Sequence, residues 1–201
     1  NASKKTDIVK HVEDTIYELK LKPVPLFRKL GQLKDIIMVR HGESFSNVKH
    51  LLAGKSGTNV RLTDQGRSQA EAIVKELKVY KNLSKTIFAT SPKMRAIETG
   101  KIALGLKTNK ILKRYENFDE ADFGLWTGKS AINPDYLAWK KYPWDSQPPE
   151  GETMSAIQIR AVNGLIKVVT DYPETETIVL FSHFFPIRGL ALTLGEEDIN
   201  Q

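Results

Sequence analysis

The chain has 201 residues, 40% of them hydrophobic, no cysteine and a formal net charge of +6. That length and apolar content suffice for one buried core and exclude a disordered chain, while the lack of cysteine excludes disulfides, thiolate metal sites and a cysteine nucleophile. The charge does not point to nucleic acid: residues 1–34 hold eight Lys/Arg against four Asp/Glu and residues 35–201 hold 22 against 20, with no basic stripe of interleaved aromatics after Asp35.

In chain order, Ile8, Val12, Ile16 and Leu19 recur at helical spacing with Lys10, Glu13, Asp14 and Glu18 between them. This predicts an amphipathic helix, ended by Pro23 and Pro25. A short helical piece around Leu26 to Leu30 follows, stopped by Gly31. Residues 1–34 thus read as an N-terminal helical extension, packed on the surface or serving as a docking arm, and residues 35–201 as the main domain. There the unbroken apolar run "DIIMVR" (35–40) predicts a buried strand, "LTDQGRSQAEAIVKELKVY" (62–80) a helix with Ala70, Ile73, Val74 and Leu77 on one face, and "KTIFAT" (85–90) a second strand. "SPKMRAIETGKIAL" (91–104) continues as a helix with Ser91 as N-cap and Pro92 at its first position. "NKILKRYE" (109–116) is a third strand, "GETMSAIQIRAVNGLIKVVTDY" (151–172) a long helix, "ETIVLFSH" (176–183) a fourth strand and "PIRGLALTL" (186–194) a closing helix. The alternation predicts an α/β fold, a mostly parallel central sheet flanked by helices on both faces, with ligands at the carboxyl ends of the strands. No stretch reaches the roughly 18 apolar residues of a membrane span, and the first twenty lack the apolar core of a signal peptide. Cytoplasm is therefore the default compartment, and no membrane partner is expected.

Arg40 and His41 end the first strand, Ser91 to Arg95 open the helix after the second, Glu120 follows the third, and His183 ends the fourth. This pattern gathers two histidines, two arginines and an acid at one rim. Such a set suits an anionic partner, because the planar fork of arginine matches phosphate oxygens and stays charged at any working pH. A small phosphorylated substrate is the natural candidate. No HExxH or comparable ligand spacing exists, so neither a metal nor another cofactor is expected. His11, on the extension, and His50, in the loop after the first motif, read as surface residues. Arg160, Arg188, Lys93 and Lys129 suit structural ion pairs at least as well as substrate contacts. Trp126, Trp139 and Trp144 with Tyr136 and Tyr142 either line a substrate-covering loop or pack as core and rim.

Six segments, in order, resemble motifs of one family: "VRHGESFSN", "LTDQGRSQA", "SPKMRAIET" with its Ser91, Arg95, Ala96 and Thr99, "EADFGLWTG", "PPEGET" and "LFSHFFPIR". Over most of residues 36–193 the chain is similar to the histidine phosphatase superfamily, in the branch of cofactor-dependent phosphoglycerate mutases and their phosphatase relatives. The resemblance implies His41 as a nucleophile that forms a phosphohistidine, its other nitrogen donating to a carbonyl near Gly42. It implies Arg40, Arg95 and His183 as donors to the phosphoryl oxygens, Glu120 as the acid and later the base, and Asn47 as a further hydrogen-bond donor in the pocket. Glu152 is expected to brace the arginines. Three departures stand out. Phe184 and Phe185 follow the second histidine where the family usually has glycine, which would reshape the pocket wall or press on His183. Arg61 stands where a proline is usual, and Thr127 where glutamate is common. Relatives typically continue beyond the helix near Gly189 to Leu194 into a final strand, whereas this sequence stops at Gln201: either the sequence is truncated or the sheet is one strand short, and an exposed edge would then favour pairing with a partner or a second copy.

Mutases of this family generally carry a longer insertion between the acid and the Gly-Glu-Ser segment. Here Gly128 to Gly151 is short, and an open site admits water once the phosphohistidine has formed. The resemblance thus implies a phosphatase that hydrolyses small phosphate monoesters. Mutase-type transfer with a bisphosphorylated primer ranks second, and a phosphate-recognising binding protein with weak or no catalysis third.

Overall fold

The computed structural model describes residues 16–20, 30, 32–57, 59–105, 112–144 and 146–194. Five strands, β1 (Ile16–Lys20), β2 (Asp35–Arg40), β3 (Thr86–Thr90), β4 (Lys113–Arg114) and β5 (Thr177–Ser182), form one sheet in the order β1-β2-β5-β3-β4. β2, β5, β3 and β4 run parallel, whereas β1 pairs antiparallel with β2 from Ile16↔Val39 to Lys20↔Asp35. The helices are α1 (Phe45–Val48), α2 (Asp64–Ala72), α3 (Val74–Asn82), α4 (Met94–Leu104), α5 (Pro134–Lys141), α6 (Met154–Asp171) and α7 (Phe184–Thr193). The mostly parallel α/β architecture expected from the alternating pattern is therefore present.

Strand alternation divides the core into two layers, because successive side chains on a strand point to opposite faces. Ile36 and Met38 of β2 and Ile178 and Leu180 of β5 join Leu165, Val168, Ile187 and Leu190 from α6 and α7. Ile37, Val39, Val179 and Phe181 point the other way, onto Ile73, Leu77, Ile97 and Leu104 from the α2 to α4 side. All six residues of β5 are buried, as a strand covered on both faces requires. A third cluster, Phe123, Tyr136, Trp139, Met154, Ile157 and Phe185, stands above the carboxyl ends of the strands.

Several local expectations are corrected. Ile16 to Leu19, read as the end of an amphipathic helix, belong to strand β1; residues 1–15 lie outside the described part. The helix expected over 62–80 is two helices that meet at Ile73, whose φ of −89° and ψ of 4° break the regular run. α4 begins at Met94 with Lys93 as its N-cap, so Ser91 is not the cap. β4 is only two residues long, and residues 109–111 of the expected third strand lie outside the described part. α5 was not foreseen. Among the described residues the sheet ends on β1 at one side and on β4 at the other, so the edge of β2 is covered. Residues 195–201, which follow the last described helix, also lie outside the described part.

Candidate active site

The β2–β5 ladder continues one residue past the strands, with His41 N donating to Ser182 O at 3.0 Å, and Ser91 N donates to Phe181 O at 2.9 Å. These bonds set His41, Ser91 and His183 side by side where three parallel strands end. The turn after His41 is held by the motif residues that follow it. Gly42 N donates to Thr99 Oγ1 of α4 at 3.1 Å, Glu43 N to Gln69 Oε1 of α2 at 2.7 Å, and the Thr63 hydroxyl to Glu43 Oε1 at 2.6 Å. Thr63 also caps α2 by accepting from Gly66 N at 3.1 Å. Backbone here passes so close to backbone that a Cβ on Gly42 would collide with the carbonyl of Gly66, and one on Gly66 with that of Glu43. Only glycine fits at either position.

His41 is 9% exposed, and its Nδ1 lies 2.7 Å from Gly42 O. A carbonyl can only accept, so Nδ1 carries the proton and the lone pair sits on Nε2. Arg95 Nε, a donor, lies 3.2 Å from that same Nε2, which agrees. Burial, then Arg95 and Arg40, hold the His41 pKa well below its usual value and keep the ring neutral. The ring of His183 stands edge-on to that of His41 with centroids 5.1 Å apart, and burial followed by Arg95 depresses its pKa likewise. His183 Nε2 is 2.7 Å from Ser91 Oγ and 3.7 Å from Asp119 Oδ1. Arg95 Nη1 and His183 Nδ1 are buried and bond to nothing among the described residues. Such groups are costly in a protein interior unless a ligand engages them.

Glu120 is 8% exposed, and burial raises its pKa against the opposing pull of the Ala121 N–H bond, Arg95 and Arg40. Its Oε1 accepts from Ala121 N at 2.9 Å and from Phe185 N at 3.4 Å. The loop that carries it is fastened from α6: Arg160 donates to the carbonyls of Asn117, Asp119 and Glu120 at 2.7 to 2.9 Å, and to Glu152 at 2.8 Å. Glu152 thus braces an arginine, as expected, and the partner is Arg160. Asn47 is exposed; its Oδ1 accepts from Ser44 N and Ser44 Oγ, which leaves its amide donors for the cavity.

A cavity of about 90 Å³ opens on this rim. Arg40, His41, Asn47, Arg95 and Glu120 line it, and Tyr136, Lys140, Phe184 and Phe185 complete the wall. Five of the six residues singled out in the sequence thus meet at one cavity. The sixth, His183, is fully buried behind His41 and reaches the site through its ring edge. Phe184 and Phe185 line the wall, and the Phe184 ring lies under Arg40 with Cζ 5.5 Å from its centroid.

Of the other residues weighed, Lys93 pairs with Asp119 at 3.7 Å, Arg188 is buried and donates to Lys140 O at 2.9 Å, and Arg61 pairs with Glu98 at 3.2 Å. Lys129 and His50 are exposed on the surface, and His11 lies outside the described part. Trp139 packs in the core and Tyr136 faces the cavity, whereas Trp144 and Tyr142 are exposed. Sequence reasoning missed Ser91 and Asp119 as partners of His183, and Lys140 as a wall residue. Asp119 could have been found by its place beside Glu120; Lys140 had no local signal. Among the described residues no group of three or more His, Asp or Glu side chains is arranged to hold a metal ion. No helix among them is long and apolar enough to cross a membrane.

Comparison with known proteins agrees with this geometry. The chain is 31% identical over 163 residues to the uncharacterized phosphatase PhoE of Bacillus subtilis, covering 81% of this chain and 78% of that protein. It is 31% identical over 178 residues to a 2,3-bisphosphoglycerate-dependent phosphoglycerate mutase of Mesorhizobium japonicum, covering 82% and 84%. Among solved structures, that of TTHB049 from Thermus thermophilus superposes with a TM-score of 0.62 at 26% identity, over 83% of this chain and 88% of that one. The model of the histidine phosphatase superfamily, branch 1, matches residues 36–201. The sheet, the paired histidines at its carboxyl rim and these matches lead to one conclusion: the chain belongs to the histidine phosphatase superfamily.

Proposed function

We propose that the protein is a phosphatase that hydrolyses small phosphate monoesters through a phosphohistidine. The observation that carries this reading is the placement of His41: Nδ1 anchored on Gly42 O and Nε2 left as an acceptor beside Arg95, on the wall of a cavity rich in arginine. An incoming phosphoryl group takes over the Arg95 N–H, which frees the Nε2 lone pair. Nε2 then attacks phosphorus, the ester P–O bond breaks, and Glu120 gives its proton to the leaving oxygen. In the second step Glu120 takes a proton from water, the resulting hydroxide attacks phosphorus, and the P–N bond breaks to release orthophosphate and neutral His41.

Phosphoryl transfer calls mainly for positioning and for charge around the equatorial oxygens. Arg40 and Arg95 supply that charge. His183 donates only if its proton is on Nδ1; Nε2 then accepts from the Ser91 hydroxyl at 2.7 Å, which gives up its longer 3.4 Å bond to Asp119 Oδ1. No metal enters the scheme.

The test is orthophosphate release from a panel of monoesters, without added metal and with a chelator present, by the wild type and His41→Ala. Release that the variant loses, with a protein-bound phosphate labile to acid and stable to base, is expected. Isomerisation of 3-phosphoglycerate in the presence of its bisphosphate, without release, would transfer the reading to a mutase. Tight phosphate binding with no turnover would leave a binding protein.

A further inference from the structure

Arg40 and Arg95 line the same cavity, yet the protein holds them in different ways. Arg95 is 2% exposed and its Nε donates to His41 Nε2 at 3.2 Å, so that side chain is fixed before any ligand arrives. Arg40 is half-buried. Among the described residues no carboxylate lies within ion-pair distance of its guanidinium, and its side chain makes no hydrogen bond. What it meets is an aromatic ring, with Cζ 5.5 Å from the centroid of Phe184.

The topology of the sheet dictates that meeting. Side chains alternate along a strand, so Arg40 shares the face of Ile36 and Met38, which pack with Ile187 and Leu190 of α7. Arg40 is also in register with Ser182 at the end of β5, and α7 begins two residues later at Phe184. The guanidinium therefore reaches over the first turn of α7. The ring there is itself held: Phe184 stands edge-on to Phe185 at 4.9 Å, and Phe185 is 1% exposed, packed against Phe123 and Trp139. An arginine in an open cavity has several rotamers, and ordering it only when a ligand binds costs affinity. A carboxylate partner would order it, but would take the N–H donors and the charge that a phosphoryl group needs. The face of an aromatic ring attracts the cation through its quadrupole and leaves those donors free.

We propose that Phe184 is a positioning residue for Arg40: by holding the guanidinium against its ring, it orders the arginine ahead of the ligand with its N–H groups still available to phosphoryl oxygens. This rests on the reading of the cavity as a phosphoryl site and adds to it an apolar side chain that touches no reacting atom.

Fluorinated phenylalanines provide the test, because ring fluorines drain negative charge from the ring face while leaving its size nearly unchanged. With 4-fluoro-, 3,5-difluoro- and 3,4,5-trifluorophenylalanine at position 184, calorimetric affinity for orthophosphate and kcat/KM should fall stepwise, to about tenfold below the wild type. Phe184→Leu should match the end of that series and Phe184→Tyr should stay near the wild type. Lys140 Nζ also lies 5.0 Å from the Phe184 centroid, so the series is repeated in Lys140→Met, where the same fall is expected. A flat series, or a fall that disappears in Lys140→Met, overturns the proposal. If the wild type hydrolyses monoesters while the series is flat, the phosphatase reading stands and this inference falls. If it binds orthophosphate and turns nothing over, a stepwise fall in affinity still supports the inference while the phosphatase reading fails. A wild type that neither binds orthophosphate nor hydrolyses an ester overturns both.

Discussion

Burial disfavours charge on His41 and on Glu120 alike, and because one is a base and the other an acid, the same desolvation moves their pKa values in opposite directions. His41, lowered from the usual 6.5, stays neutral into acid. Glu120, raised from the usual 4.5, stays protonated further toward neutrality. The form able to begin the reaction, with neutral imidazole and protonated carboxyl, is thus widened at both ends. The acid limb of kcat/KM should fall below pH 6.5, the alkaline limb above 4.5, and the optimum on the acid side of neutrality, after correction for the second ionisation of the substrate near about 6. Glu120→Gln should abolish the alkaline limb and cost about 10²- to 10⁴-fold in rate. An acid limb at 6.5 in a pH–rate profile would show that His41 is not desolvated as described. At this scale the site was legible in the sequence because each apolar run stops at a polar cluster: Arg40-His41 after "DIIMV", His183 after "TIVLFS". Ser91 was misassigned because a serine before Ser-Pro-type helix starts usually caps, whereas here its hydroxyl is turned to His183 and accepts from Lys93 N.

Among the elements, α6 does the most to hold the site although it contributes no cavity residue. Arg160 fixes the carbonyls of Asn117, Asp119 and Glu120, and Glu152 fixes Arg160 while accepting from Asp122 N at 2.9 Å. Gly164 on the same helix lets Asn117 and Phe118 approach, since a Cβ there would press on both side chains. With the Arg160 and Glu152 side chains only 15% and 18% exposed, removing one partner strands the other. Arg160→Met should destabilise the protein by about 2–3 kcal/mol in denaturant unfolding and lower kcat more than it raises KM, because the acid is displaced while the arginine cradle stays. A variant that raises only KM would place Arg160 in substrate binding instead. The long helix around Arg160 was legible from its period. α5 was not, since Tyr136 and Trp139 alone of its residues are buried and eight residues give too little pattern to reveal a helix. β1 was misread for a related reason: in "IYELK" the apolar Ile16, Tyr17 and Leu19 fit a helical face as well as a strand, and the decisive influence is a partner, the edge of β2, that no local pattern contains.

For the molecule as a whole, the pairing of β1 with Asp35 to Val39 of β2 gives residues 16–20 a structural duty that the reading of 1–34 as a separate helical extension did not anticipate. Without β1 the backbone of β2 would present an unpaired edge along the five residues Asp35 to Val39, a template for a second chain. A chain beginning at Lys34 should therefore melt at lower temperature and self-associate with rising concentration in size-exclusion chromatography; a monomer of unchanged melting temperature would show that β1 adds nothing to the sheet. The fold class was legible because strand and helix periods alternate cleanly from Asp35 onward, while strand order was not, because it depends on which strands meet across the sheet. That order carries a consequence in time. Among the described strands β5 comes last in the chain and lies between β2 and β3, so His41 and His183 become neighbours only when it inserts. Such pairing across long stretches of chain is slow, so the rim that holds the two histidines is incomplete in a nascent chain until β5 has threaded home. Insertion of β5 and assembly of the candidate site are then one event on the folding path, and a chain that has not yet placed this strand holds neither histidine against the other.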